Sequence, residues 1–227
     1  MQTVFKASSK LLGLFLLAML VLSNVSCMFK EGIHGNGIVE KETRNVPAFS
    51  QLDISGTFNV FLSQGETASV IIEADNNITP IIQTDVDQNK LSVKIENGVK
   101  ISKSKKSNVY ITVTDLNSLH FNGVGNLKCL TDLNLSTVDI YNSGVGNMEL
   151  KGSASVCKMH NSGVGNLNAF DFEVQKLNIT NAGVGNVQIN AVEELSMSNS
   201  GVGNVSYKGD ASIKELQSSG VGKIGKK

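Results

Sequence analysis

Apolar and polar residues alternate with a period of two along most of the chain beyond residue 39, the pattern of strands with one buried side. In the front half the clearest stretches are Phe58-Asn59-Val60-Phe61-Leu62, Ser69-Val70-Ile71-Ile72-Glu73-Ala74, Lys90-Leu91-Ser92-Val93-Lys94-Ile95 and Val109-Tyr110-Ile111-Thr112-Val113. Asp87-Gln88-Asn89 and Glu96-Asn97-Gly98 are turn clusters. Ile78 to Val86, with Pro80 near its start, reads as one short helix or a loop.

From about residue 116 a second, longer period is laid over the first. The phrase Gly123-Val124-Gly125-Asn126-Leu127 returns as Gly144-Val145-Gly146-Asn147-Met148, Gly163-Val164-Gly165-Asn166-Leu167, Gly183-Val184-Gly185-Asn186-Val187 and Gly201-Val202-Gly203-Asn204-Val205. A sixth copy, Gly220-Val221-Gly222-Lys223-Ile224, ends the chain. The spacings are 21, 19, 20, 18 and 19 residues, and a fixed period near 20 marks a solenoid. A leucine-rich repeat would need an L-x-x-L-x-L frame, which is absent, and a propeller blade is about 40 residues long.

Three columns through the six copies are apolar without exception: Leu119, Ile140, Met159, Ile179, Met197 and Leu216; the six valines after the first glycine; and Leu127, Met148, Leu167, Val187, Val205 and Ile224. All three are expected to face inward and to pile into one core, coil on coil, at about 4.8 Å per coil. The glycines suit a positive-φ turn or close approach of successive coils. The asparagines fall into two columns, one of Asn126, Asn147, Asn166, Asn186 and Asn204, the other of Asn142, Asn161, Asn181 and Asn199, and such amides can hydrogen-bond along a stack. The expected fold is all-β, a right-handed parallel β-helix-like solenoid with a divergent β-rich N-terminal cap. The front strands lack the phrase and are read as that cap within one domain, since an open solenoid end exposes unpaired backbone; a separate N-terminal β-domain is the alternative. Lys223, Lys226 and Lys227 charge the other end.

Composition changes the picture mainly at the start. Lys6 and Lys10 precede an apolar run from Leu11 to Leu22, and Ser23-Asn24-Val25-Ser26-Cys27 follows. The run is too short to cross about 30 Å of hydrocarbon comfortably. Residues 1–26 read as a signal peptide and Ser26-Cys27 resembles a bacterial lipobox, with Asn24 where leucine is preferred. Cleavage before Cys27 and its acylation would anchor the protein on a membrane. An ordinary signal peptide cut near Ser26, or an uncleaved anchor, is the other reading. Residues 27–38, with three glycines after Met28, read as a lipidated cysteine and flexible tether, and 39–227 as the solenoid domain. Lys6 and Lys10 are the only charges before Cys27, leaving 18 basic and 20 acidic residues, no basic field for nucleic acid.

The repeats resemble those of the auto-transporter adhesin head GIN domain family (DUF2807), common in Bacteroidetes-type bacteria. The opening block agrees as well: Arg44-Asn45-Val46-Pro47-Ala48-Phe49-Ser50-Gln51-Leu52, then Gly56-Thr57-Phe58-Asn59-Val60. The resemblance covers roughly residues 42 to 224. It implies a β-helix-like fold and a cell-envelope location, and it supplies no catalytic residues.

No arrangement of residues points to catalysis. Asp139 and Glu215 share a column four coils apart, about 19 Å, beyond the 5 to 9.5 Å of a glycosidase pair. Asp171, Glu173, Glu193, Glu194 and Asp210 scatter through the connecting arcs. His120 and His160 share a column with Tyr141 between them, about 10 Å apart and too far for a shared zinc. That column (His120, Tyr141, His160, Thr180, Ser198, Gln217) reads as a polar outward stripe or a weak ligand-contact ribbon. Cys129 and Cys157, a pair that in an exported chain could form a disulfide, fall in mostly apolar columns and read instead as buried free thiols. Gly-Val-Gly-Asn lacks the helix that a phosphate-binding loop opens. Asn-x-Ser/Thr matches such as Asn178-Ile179-Thr180 matter only in a eukaryotic secreted protein. No metal and no cofactor is expected. The expected protein is a non-enzymatic, membrane-anchored envelope lipoprotein, on the outer rather than the inner membrane, whose solenoid faces bind a glycan or protein. A passive envelope scaffold, or a β-helix carbohydrate-active enzyme, is the alternative.

Overall fold

Alternation becomes strand through most of residues 32–227, the part of the chain that the computed structural model describes. The signal peptide expected at 1–26, and Cys27, lie outside the described residues. The front half holds β1 (Ile33–His34), β2 (Val39–Arg44), β3 (Gln51–Ser55), β4 (Asn59–Gln64), β5 (Ser69–Asp75), β6 (Ile82–Asp87), β7 (Lys90–Ile95), β8 (Ile101–Lys103) and β9 (Ser107–Val113). The repeats hold β10 (Ser118–Phe121), β11 (Leu127–Cys129), β12 (Leu133–Asn142), β13 (Met148–Asn161), β14 (Leu167–Asn181), β15 (Val187–Asn199), β16 (Val205–Lys208), β17 (Ser212–Ser218) and β18 (Ile224–Lys226). The helix-or-loop stretch at 78–86 resolves into a 3-10 turn at Thr79–Ile81 followed by β6.

Each phrase stacks on the next in parallel. β13, β14 and β15 each carry the chain round most of a coil, and isolated parallel bridges join Val124, Val145, Val164, Val184, Val202 and Val221 in succession. Corners arise where two successive residues face outward, as at Phe170-Asp171 and Gln175-Lys176 in β14; the glycine phrase makes a third.

Around the first glycine, the side chains two and four residues before it and four after it are buried in the first five copies. The residues one and three before, and one and three after, point out. The valine column is therefore outside, which corrects the expectation that it lines the core. Val124, Val145, Val164, Val184 and Val202 are 49–50% exposed. Valine stands an odd number of residues from both core columns, and strand alternation runs through the turn without losing step. The coils still pile up, because the Leu119 and Leu127 columns are buried as expected through the fifth copy. In the last copy Leu216 is 46% exposed, having no coil above it.

The inward place two before the glycine belongs to asparagine. Asn142, Asn161, Asn181 and Asn199 are 2–6% exposed. Asn142 Nδ2 donates to Asn161 Oδ1 at 2.7 Å, Asn161 Nδ2 to Asn181 Oδ1 at 2.6 Å, and Asn181 Nδ2 to Asn199 Oδ1 at 2.7 Å. Each amide satisfies the one below it, so polar groups that would be costly alone sit in the core without penalty. The outer column works differently. The backbone N–H groups of Asn147, Asn166, Asn186, Asn204 and Lys223 donate to the Oδ1 of the asparagine one coil back, at 2.9–3.0 Å. Lysine can replace asparagine as the donor at 223 because only its backbone N–H is used there.

The second glycine of the phrase has φ between 134° and 140° in all six copies, a region that side chains rarely enter. A Cβ on it would also run into a carbonyl one coil back, that of Phe58 for Gly125 and that of the corresponding glycine in the other five copies.

The front half extends this stack and closes it. Leu52, Ile54, Thr57 and Val60 lie in register with Leu119, Phe121, Val124 and Leu127, so residues 51–64 are a further coil with the phrase reduced to Gly56-Thr57-Phe58-Asn59. β7 and β9 form the coil before it, and β5 and β6 add to them antiparallel, with β2 outermost on β5. The divergent end is thus the cap expected from the sequence. In the β7–β9 coil, residues 96–106 replace the tight glycine turn. They carry β8, which pairs in parallel with β1, so part of the stretch read as a tether is hydrogen-bonded to the cap.

Candidate functional site

Two outward columns on the sheet of β10, β12, β13, β14, β15 and β17 form a ribbon. One runs Ser118, Asp139, Lys158, Asn178, Ser196, Glu215; the other runs His120, Tyr141, His160, Thr180, Ser198, Gln217. The ring centroids of His120 and Tyr141 lie 4.5 Å apart and those of Tyr141 and His160 4.9 Å apart, the second pair stacked nearly parallel at 10°. Parallel in-register strands at about 4.8 Å force this stacking. Tyr141 and His160 are exposed and His120 half-buried, with Asp139 and exposed Lys158 in the neighbouring column. Asp139 and Glu215 do share a column, with Lys158, Asn178 and Ser196 in register between them.

A second polar cluster was invisible in the sequence because only the cap's register assembles it. Buried Glu73 accepts hydrogen bonds from Lys106 Nζ (2.8 Å), Tyr110 OH (2.9 Å) and Asn108 Nδ2 (3.2 Å), with Lys41 Nζ at 3.7 Å. The Lys106 hydrogen bond above all, opposed by burial, holds the carboxyl down to about 2. Burial first, and then Glu73, pushes the Tyr110 phenol up. Asn108 Oδ1 accepts from Asn59 Nδ2, and Asn59 Oδ1 accepts from the Asn126 backbone. The outer asparagine ladder therefore runs from Lys223 to Glu73 with every donor pointing toward the carboxylate. The buried ladder runs in the opposite sense.

Glu73 is ionised in the folded protein down to about pH 2 and in the unfolded chain only above about 4.5. Its stabilisation is present above pH 4.5 and is lost as pH falls from there toward 2. Glu73→Gln is expected to cost about 1–2 kcal/mol at neutral pH. Solvent screening of the half-exposed Lys106 and the more exposed Lys41 keeps that cost below what the shift alone would imply. The variant's unfolding midpoint is expected to change less between pH 4.5 and 2 than that of the parent. Thermal melts across that range check it; parallel acid limbs would remove Glu73 from the linkage.

Cys129 and Cys157 are free and buried, as their columns implied. Burial pushes the thiols up to about 11 and about 12, so neither is a nucleophile near neutral pH. No group of three metal-ligating side chains converges among the described residues.

The family described as "Putative auto-transporter adhesin, head GIN domain" (DUF2807) matches residues 48–211. The chain belongs to that family. The GIN-domain match begins in the cap and ends in the last coils, so cap and repeats fall within one family domain. A crystal structure of a "putative adhesin" from Bacteroides fragilis is similar over 86% of this chain and 100% of its own, with 28% identity and a TM-score of 0.73. A "putative lipid binding protein" from Parabacteroides distasonis shares the fold over 87% of this chain and 100% of its own, at 18% identity and a TM-score of 0.53. No curated protein matches. No described helix is long and apolar enough to cross a membrane.

Proposed function

We propose that this GIN-domain protein is a non-enzymatic binding module of the bacterial cell envelope, held on a membrane by acylated Cys27, that takes an extended polar ligand on the ribbon of β10, β12, β13 and β14. The observation that carries the reading is the His120–Tyr141–His160 stack, with Tyr141 and His160 exposed and His120 half-buried, beside Asp139, Lys158, Asn178 and Thr180. A row of ring edges, hydroxyls and amides repeating about every 4.8 Å suits a chain-like partner that repeats its own polar groups. A glycan or an extended protein segment has that character. The lipobox-like Ser26-Cys27 supports export and anchoring, and the family's description as an adhesin supports a surface role.

A polysaccharide array probed with the protein tests the binding. Tyr141→Ala is expected to weaken retention on a recognised glycan about tenfold, roughly 1.4 kcal/mol, while circular dichroism stays unchanged. Retention that survives both Tyr141→Ala and His160→Ala would place binding elsewhere. Envelope defects without any loss of binding on deletion would favour a passive scaffold.

A further inference from the structure

We infer that the glycine–valine corner is the edge with which the solenoid lies on an anionic phospholipid surface. The inference rests on the anchoring reading above and adds which side of the molecule faces the membrane.

Three observations converge on this corner. The first is an apolar row. Val124, Val145, Val164, Val184 and Val202 are half-exposed and Val221 is 69% exposed. They stack in register over about 24 Å, a continuous aliphatic edge of the kind that marks an interaction surface.

The second is charge. From three residues before the first glycine to three after it, none of the six copies contains an aspartate or glutamate. Lysines stand at both ends of the row. At the far end are Lys223, Lys226 and Lys227, all exposed, with Lys226 paired to Asp210. At the cap end the segment that replaces the glycine turn holds exposed Lys100, Lys103, Lys105 and Lys106 against the single acid Glu96. Of the four lysines at the cap end only Lys106 has a carboxylate partner among the described residues. The segment is held in place, since the Lys105 N–H donates to buried Asp75 and Ser107 Oγ to the Thr57 carbonyl. It walls a depression of about 410 Å³ with Thr57, Phe58, Val124 and Gly125, so the lysines adjoin the start of the valine row.

The third is where the anchor arrives. Ile33 N–H donates to the Lys100 carbonyl and Gly35 N–H to that of Lys103. The described chain thus begins on the basic segment at this same corner. Gly32 is five residues from Cys27, at most about 18 Å of extended chain. An acyl group on Cys27 therefore tethers the solenoid at its cap end, beside this corner. Basic residues beside an anchor add electrostatic attraction to anionic headgroups, and an apolar edge adds shallow burial.

The test uses the full acylated chain in phosphatidylcholine vesicles with and without phosphatidylglycerol. Val184→Cys and Gln175→Cys, the latter on another corner, each receive a fluorophore; Cys129 and Cys157 are buried and stay unlabelled. Quenching by lipid-borne nitroxide is expected to be roughly threefold stronger at 184 than at 175 on phosphatidylglycerol. The difference should shrink in high salt and in a Lys100/Lys103/Lys105→Gln variant. Equal, weak quenching of both probes on vesicle-bound protein would overturn the inference and leave the anchor intact. A 184 probe shielded from water but not quenched by lipid would overturn it in favour of contact between two copies. Protein that fails to float with vesicles would overturn the anchoring reading and this inference with it.

Discussion

Gly165→Ala is expected to lower the unfolding free energy by about 3–5 kcal/mol, against less than about 1 kcal/mol for Val164→Ala beside it. Two penalties add at Gly165. Its φ of 137° lies where a Cβ is strained, and that Cβ would overlap the Gly146 carbonyl oxygen and carbon. Relief requires coils to move apart, which breaks the hydrogen bonds from Gly146 N–H to the Val164 carbonyl and from Val164 N–H to the Gly144 carbonyl. Val164 is half-exposed, so truncating it leaves no cavity. A core valine would have cost more than twice as much. Urea unfolding of the two variants against the parent measures both. Equal losses would return the valines to the core; a mild loss at Gly165 would mean the coils yield easily.

Asn161→Ala comes next in size, at about 2–4 kcal/mol. Removing the amide leaves Asn142 Nδ2 without its acceptor and Asn181 Oδ1 without its amide donor, inside a core where neither reaches water. Asn166→Ala, on the outer ladder, is expected to cost only about 0.5–1.5 kcal/mol, because the Asn186 N–H it abandons is near the surface. The four buried asparagines act as a unit. The same column is already apolar at Ile54 and Phe121, so replacing Asn142, Asn161, Asn181 and Asn199 together by leucine is expected to cost less than the four single losses summed. Denaturation of the singles and the quadruple decides this, and additive losses would show that each amide has an independent partner.

The sequence by itself determined the architecture. Six copies of one phrase at a spacing of 18 to 21 residues permit little other than stacked coils, and period-two alternation in the front half marked its strands. The buried thiols and the His120–Tyr141–His160 column followed from alignment alone, because parallel coils keep equivalent residues in register. Parity was also legible, and it was overridden: valine one residue past the glycine is out of step with the columns at four before and four after, so its invariance does not signify burial. Core packing does not account for that invariance, since the valines of the first five copies are half-exposed.

Tertiary structure alone decided the rest. Residues 51–64 lie in the stack between β7 and β10, so chain order and coil order differ in the cap, and no local pattern encodes which strands meet across such a jump. The Glu73 cluster depends on that jump, bringing Lys41, Lys106, Asn108 and Tyr110 to one carboxylate. The asparagines show the same division within the repeat. Their recurrence is a property of the sequence; that one column is buried amide-to-amide and the other lies at the surface amide-to-backbone follows from which side of the strand each faces once the coil closes.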